Sequence, residues 1–82
     1  MYEIHFDEEA IKFLENLDLK IKKRIFDKIL SINKNPFFYL ERLTGHGLYK
    51  LRIGKYRVIC SIENKIVIIL LIGLRKNIYN KL

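Results

Sequence analysis

Three successive runs in the second half of the chain are rich in apolar residues, and in the first two of them apolar and polar residues alternate, a pattern typical of half-buried β-strands. The runs cover residues 48–53, 56–62 and 66–72, and the pairs Gly54-Lys55 and Asn64-Lys65 separate them. Glycine at the first position of a two-residue loop permits the positive φ of a type II′ turn, which suits a tight hairpin. The pattern therefore predicts three antiparallel strands joined by two tight turns.

Loops of two residues fix the register of this predicted sheet. Arg52 then lies directly opposite Arg57, and a like-charge pair of this kind destabilises a sheet by roughly 0.2–1 kcal/mol. Surface cations usually serve solubility, but this cost, with no nearby carboxylate to offset it, favours a functional role. One face is predicted to be apolar and covered: Tyr49, Leu51, Ile53, Tyr56, Val58, Cys60, Ile62, Val67, Ile69 and Leu71. The opposite face is predicted to mix cations with apolar residues: Lys50, Arg52, Arg57, Leu48, Ile59, Ile68, Leu70 and Ile72.

The first half of the chain predicts one short strand and two helices. Residues 2–6 alternate as a strand, Asp7 is placed to cap a first helix, and Asp18 is placed to cap a second that runs to about residue 33. Residues 37–47 are interpreted as a connecting segment. The sequence thus predicts a single α+β domain over residues 1–82, of order β-α-α-β-β-β. A helical hairpin packs on one face of a mainly antiparallel sheet, the first strand lies at an edge, and a helical turn ends the chain.

Charge is distributed unevenly and points to an anionic partner. The net charge is +7, and residues 42–82 carry nine Lys and Arg against the single acidic residue Glu63. Nucleic acid or an acidic protein segment fits this asymmetry. The acidic residues of the first half are interpreted as helix caps and solvated charge. Cys60 is predicted to be buried and inert, and His5 and His46 to be ordinary surface residues, so no metal site is expected.

The longest apolar run, residues 66–72, is far too short to span a bilayer. We therefore expect a cytoplasmic protein that has no membrane partner.

The order of elements and several short motifs resemble the RelE/ParE superfamily of toxins from toxin–antitoxin pairs. The motifs are Leu43-Thr-Gly45, the run from Leu48 to Ile59, Gly73-Leu-Arg75 and Tyr79, and the resemblance spans nearly the whole chain. It is closer to the RelE branch, whose members cut messenger RNA in the ribosomal decoding site, than to the ParE branch, which poisons DNA gyrase. The resemblance implies an enzyme without cofactor in which the ribose 2′-hydroxyl attacks the adjacent phosphorus.

The resemblance also implies the site and the partners. Its catalytic positions fall on Lys50, Arg52, Arg57, Arg75 and Tyr79, where RelE-type toxins stabilise phosphate, move protons and stack nucleotides. Its RNA-binding positions fall on Lys50, Arg52, Lys55, Arg57, Arg75 and Lys76. The implied partners are the ribosome with its messenger RNA and a RelB-like antitoxin, through which the complex would bind operator DNA.

One position departs from the pattern of the RelE branch. The best-known RelE enzyme has a lysine that acts as the general base where this chain has Arg52, and arginine is effectively never deprotonated in proteins. Lys50 is then the better candidate for the base. Two alternatives stay open, namely a ParE-like gyrase inhibitor without nuclease activity and an inactive member that acts only as an antitoxin-bound co-repressor.

The apolar residues on the cationic face have two interpretations. Contiguous exposed apolar area usually marks a partner site, and an amphipathic antitoxin segment would then bind Leu48, Ile59, Ile68, Leu70 and Ile72. Alternatively, the C-terminal tail folds back and covers them.

Overall fold

A five-stranded mixed sheet is the centre of the protein, described by a computed structural model covering residues 1–82. The strands lie in the order β1-β5-β4-β3-β2. Their bounds are β1 (Glu3–Phe6), β2 (Glu41–Leu43), β3 (Leu48–Ile53), β4 (Tyr56–Glu63) and β5 (Ile66–Leu74). β1 pairs in parallel with β5 at one edge, and the remaining pairs are antiparallel. The predicted α+β class and the edge position of the first strand are confirmed.

Four short helices accompany the sheet: α1 (Glu8–Glu15), α2 (Leu19–Ser31), α3 (Pro36–Tyr39) and α4 (Arg75–Ile78), the last continued by a 3-10 turn over Tyr79–Lys81. Asp7 caps α1 as predicted, because its carboxylate accepts a hydrogen bond from the backbone N–H of Glu9 at 3.4 Å. Asp18 occupies the capping position of α2, but its side chain makes no capping hydrogen bond. None of the helices has the length and apolarity to cross a membrane.

The core forms between the apolar stripes of α1 and α2 and one face of the sheet. Helical residues such as Ala10, Ile25 and Ile29 are fully buried there, in one cluster with Val58 and Cys60 of the sheet. Burial raises the pKa of the Cys60 thiol to about 12, since desolvation disfavours the thiolate. This cysteine is therefore an inert core residue, as predicted.

The register of the β3–β4 hairpin is as predicted. Arg52 lies opposite Arg57 and Ile53 opposite Tyr56, so the loop has two residues. Gly54 has a φ of +57°, and Asn64 in the second turn has a φ of +58°. Both turns therefore place their first loop residue in the left-handed region, where glycine and asparagine are the most tolerant residues.

The predicted face assignment is wrong at the end of β5, where a β-bulge shifts the register. Ile59 pairs with Leu71 and its neighbour Cys60 pairs with Ile69, so Leu70 is an extra residue. Because a bulge places two residues opposite one, the alternation reverses beyond it. Ile72 consequently joins the core at 4% exposure, and Leu71 lies on the opposite, outer face instead.

The connecting segment predicted for residues 37–47 contains two elements that the sequence pattern did not indicate. Pro36 begins α3 at its first helical position, where the missing N–H is not needed. β2 then pairs with β3, and Glu41 becomes the register partner of Lys50. The sheet therefore extends one strand further on the side of the cationic residues than predicted.

The bulge yields a test with two apolar residues that lie two positions apart in β5. Replacing Ile72 with alanine is expected to lower the free energy of unfolding by about 2–5 kcal/mol, because it leaves a cavity in the core. Replacing the half-buried Leu70 with alanine should lower it clearly less. Urea denaturation of the two variants measures both values, and equal losses would contradict the bulge.

Candidate functional site

Cationic residues from β3, β4 and α4 meet at one end of the outer face of the sheet, around two adjoining cavities. The smaller, of about 260 Å³, is lined by Glu41, Lys50, Arg52, Arg57, Arg75 and Tyr79. The larger, of about 680 Å³, shares four of these residues and adds Gly54, Lys55, Leu74 and Lys76. All the residues predicted for catalysis or RNA binding therefore line these cavities, which we call the cationic cavity.

The β3–β4 turn positions three cations of the cationic cavity. Arg52 and Arg57 flank the turn and share one face because they are register partners. The backbone carbonyl of Lys55 accepts a hydrogen bond of 2.9 Å from the backbone N–H of Arg75. The start of α4, and with it Arg75, is thereby tied to the hairpin.

Arg57 differs from the other cations because it is only 5% exposed. Its Nη1 donates to the carbonyl of Gly54 at 2.7 Å and to that of Tyr56 at 2.8 Å. No carboxylate pairs with it, so two backbone carbonyls provide its polar contacts within the protein. Its Nη2 and Nε groups have no protein partner and can donate to a phosphate in the cavity.

Tyr79 and Lys50 lie side by side in the lining of the smaller part of the cationic cavity. The Nζ of Lys50 lies 5.9 Å from the centre of the Tyr79 ring, within the range of a cation–π interaction. The tyrosine is 39% exposed. An exposed aromatic ring beside cations is a surface on which an unpaired base can stack while its phosphate binds the cations.

Glu41 is the residue of the cavity that the sequence analysis missed. It is the only carboxylate that lines either part of the cationic cavity, and it enters from β2. The expectation that no carboxylate lies near the arginines is therefore wrong. The sequence did contain a signal for this strand. A hairpin whose loop lies between Leu43 and Leu48 pairs these two apolar residues, and it also pairs the opposite charges of Glu41 and Lys50.

The residues predicted for antitoxin binding are only partly accessible. Leu48, Ile68 and Leu70 are half-buried on the outer face, whereas Ile72 lies in the core and Ile59 is fully buried. The C-terminal segment covers part of this face, since the Ile78 side chain of α4 packs over Gly73. Ile59 and Ile72 are therefore not free to contact a partner in this structure.

Solved toxin structures share this fold. The RelBE2 toxin–antitoxin complex of Mycobacterium tuberculosis aligns with a TM-score of 0.82 at 23% identity, over 90% of this chain and 98% of that chain. The archaeal RelE–RelB complex of Pyrococcus horikoshii OT3 aligns with a TM-score of 0.77 at 26% identity, over 93% and 97%. The chromosomal ParDE system of P. aeruginosa aligns with a TM-score of 0.78 at 15% identity, over 90% and 96%.

The shared fold and a matching family model together define a toxin domain of the RelE/ParE superfamily. The family model of the ParE toxin of the type II toxin–antitoxin system parDE matches residues 4–79, and the chain belongs to this family. It is thus a type II toxin whose structural relatives include both RelE and ParE proteins. No curated protein matches the chain in sequence.

The opposed arginines allow a test of the site's construction. Replacing Arg57 with alanine is expected to lower the free energy of unfolding by about 1–3 kcal/mol, since its bonds to two backbone carbonyls are lost. Replacing the exposed Arg52 with alanine should leave stability unchanged or raise it by up to about 1 kcal/mol, because the like-charge pair is relieved. Thermal or urea unfolding compares the two, and an equal loss for both would contradict these roles.

Proposed function

We propose that this type II toxin is an endonuclease that cleaves messenger RNA on the ribosome. The observation that carries the proposal is the convergence of Lys50, Arg52, Arg57, Arg75 and Tyr79 on one cavity. These residues come from two strands and the C-terminal helical segment, so their meeting is a consequence of the fold. The structural relatives from RelE–RelB complexes support the same proposal.

The chemistry of the cavity suits transfer of a phosphoryl group within RNA. The ribose 2′-hydroxyl attacks the adjacent phosphorus, the bond to the 5′-oxygen breaks, and negative charge builds on the phosphoryl oxygens. Guanidinium groups held before the reaction stabilise that charge without reorganisation. Arg57 is the best held of them, since its Nη1 is fixed by two carbonyls, and Tyr79 supplies a stacking surface for a base.

Arg52 is assigned to phosphate binding and not to proton transfer. It is exposed and lines both parts of the cavity, and arginine keeps its charge in proteins. Lys50, by contrast, can lose or give a proton, and it lies beside Tyr79 where a bound nucleotide would stack. We therefore assign Lys50 to proton transfer in the reaction.

A cognate antitoxin is the proposed inhibitor of this activity. The relatives in RelE–RelB structures are bound to RelB-type antitoxins. On this chain, the half-buried Leu48, Ile68 and Leu70 offer apolar contacts beside the cationic cavity. An antitoxin segment with apolar residues and carboxylates would fit both the apolar contacts and the cationic cavity. Its carboxylates would neutralise the cations that RNA binding requires.

Inhibition of DNA gyrase is the second candidate function, favoured by the match of the ParE toxin model to residues 4–79. Two assays on the same purified toxin separate the candidates. Primer extension on messenger RNA during translation is expected to show toxin-dependent cuts, and a gyrase supercoiling assay is expected to show no inhibition. Gyrase inhibition without cuts would overturn the first proposal in favour of the second.

The role of Lys50 gives a sharper test of nuclease activity. Replacing Lys50 with alanine is expected to slow cleavage of ribosome-bound messenger RNA by roughly 10²–10⁴-fold, the range for loss of a proton-transfer group. Ribosome binding should persist, because the cavity's arginines stay in place. Lys65→Ala is the matched control, since Lys65 lies in the β4–β5 turn, over the Tyr2 ring and outside the cavity. A fully active Lys50→Ala protein would refute the assignment.

A further inference from the structure

We propose that Glu41 is a catalytic residue, the general base that takes the proton of the attacking ribose 2′-hydroxyl. This inference rests on the proposed nuclease function and names the group that its mechanism otherwise lacks. Every other charged side chain in the cationic cavity belongs to a lysine or an arginine, residue types that are ordinarily proton donors and not acceptors at neutral pH. A base must be unprotonated before the reaction, which is the ordinary state of a glutamate.

The fold places this carboxylate in the wall of the cationic cavity. Glu41 and Lys50 are register partners on β2 and β3, so their side chains leave the same face of the sheet. Glu41 shares the smaller part of the cavity with three arginines and Tyr79. A phosphate bound by those arginines would place its ribose within the same small space.

Glu41 is not used for structure elsewhere. The four ion pairs of the protein lie on β1, α1 and α2, and none involves Glu41. No side-chain hydrogen bond of the structure involves it either. The side chain is exposed at the cavity wall, so its oxygens are accessible to a substrate hydroxyl.

The complete step assigns each proton. The carboxylate of Glu41 takes the 2′-hydroxyl proton while the 2′-oxygen forms a bond to phosphorus. The bond from phosphorus to the 5′-oxygen breaks, and that oxygen takes a proton from the ammonium of Lys50. The products are a 2′,3′-cyclic phosphate and a free 5′-hydroxyl, and exchange of protons with water restores both side chains. Lys50 thereby acts as the general acid.

The first experiment is single-turnover cleavage of messenger RNA in programmed ribosomes by the full chain. Glu41→Gln keeps the size and polarity of the side chain but accepts no proton, and is expected to slow cleavage by about 10²–10⁴-fold. Glu41→Asp should restore part of the rate. Glu63→Gln is the control, because Glu63 is an exposed carboxylate in the β4–β5 turn region, outside the cavity. Ribosome binding by Glu41→Gln should equal that of the parent.

The pH dependence distinguishes Glu41 from Lys50 as the base. With a carboxylate base, the rate should be nearly constant between about pH 6 and pH 8. With a lysine base, it would rise about tenfold per pH unit over that interval, because the neutral amine is then the scarce form. If Glu41 had only a structural role, Glu41→Gln would lower the cleavage rate by the same factor at every pH, and the shape of the pH–rate profile would not change.

A modified substrate separates the base from the acid. Sulfur in place of the bridging 5′-oxygen gives a leaving group that needs no proton. It is expected to restore cleavage by Lys50→Ala but not by Glu41→Gln. If the sulfur-substituted RNA restored cleavage by both variants, or by neither, the assignment of base and acid would be overturned.

The outcomes also separate this inference from the function on which it rests. If the parent cuts RNA and Glu41→Gln cuts equally well, or if the rate of the parent rises steeply with pH, Glu41 is not the base while the nuclease stands. If the parent makes no ribosome-dependent cut, the proposed function and this inference fail together.

Discussion

The two-residue turn at Gly54 and Lys55 is the constraint on which the site depends. Gly54 at a φ of +57° permits a loop this short, and the short loop fixes Arg52 opposite Arg57. The carbonyl of Gly54 then holds Arg57, and the carbonyl of Lys55 holds the start of α4 through Arg75. A side chain at Gly54 would strain the φ angle and press against Arg24, whose Nη2 lies 3.2 Å from the Cβ position. Three of the cavity's cations thus depend on one turn.

This construction has an energetic cost that a bound anion relieves. Arg57 is buried without a carboxylate partner and faces a second arginine. Backbone carbonyls satisfy part of its hydrogen-bonding capacity but do not neutralise its charge. Any anion that binds the cavity stabilises the folded state by mass action, whether it is an RNA phosphate or a carboxylate of an antitoxin. Substrate and inhibitor would then compete for the same uncompensated charge.

The sequence predicted the α+β class and the hairpin register with its opposed arginines, because two-residue turns and alternation carry that information. Arg75, Lys76 and Tyr79 were expected at the site only through the resemblance to RelE-type toxins, since nothing in the periodicity brings the C-terminal segment to the hairpin. It did not predict the bulge at Leu70. The run over residues 66–72 is apolar at every position, so its periodicity cannot show where the alternation reverses. β2 was missed because it is short. Its three residues are too few to show the alternation of a strand.

The missed strand changes what the cavity can do chemically. A pocket lined only by arginines and lysines binds phosphate and stabilises developing charge, but these residue types are ordinarily proton donors and not acceptors. Such a pocket supports binding better than catalysis. β2 adds a single carboxylate opposite Lys50. The cavity then holds a candidate proton acceptor and a candidate proton donor, the two groups that general acid–base catalysis requires. In the proposed mechanism, the replacement of a basic lysine by Arg52 costs the reaction no essential group, since Glu41 of the neighbouring strand would accept the proton.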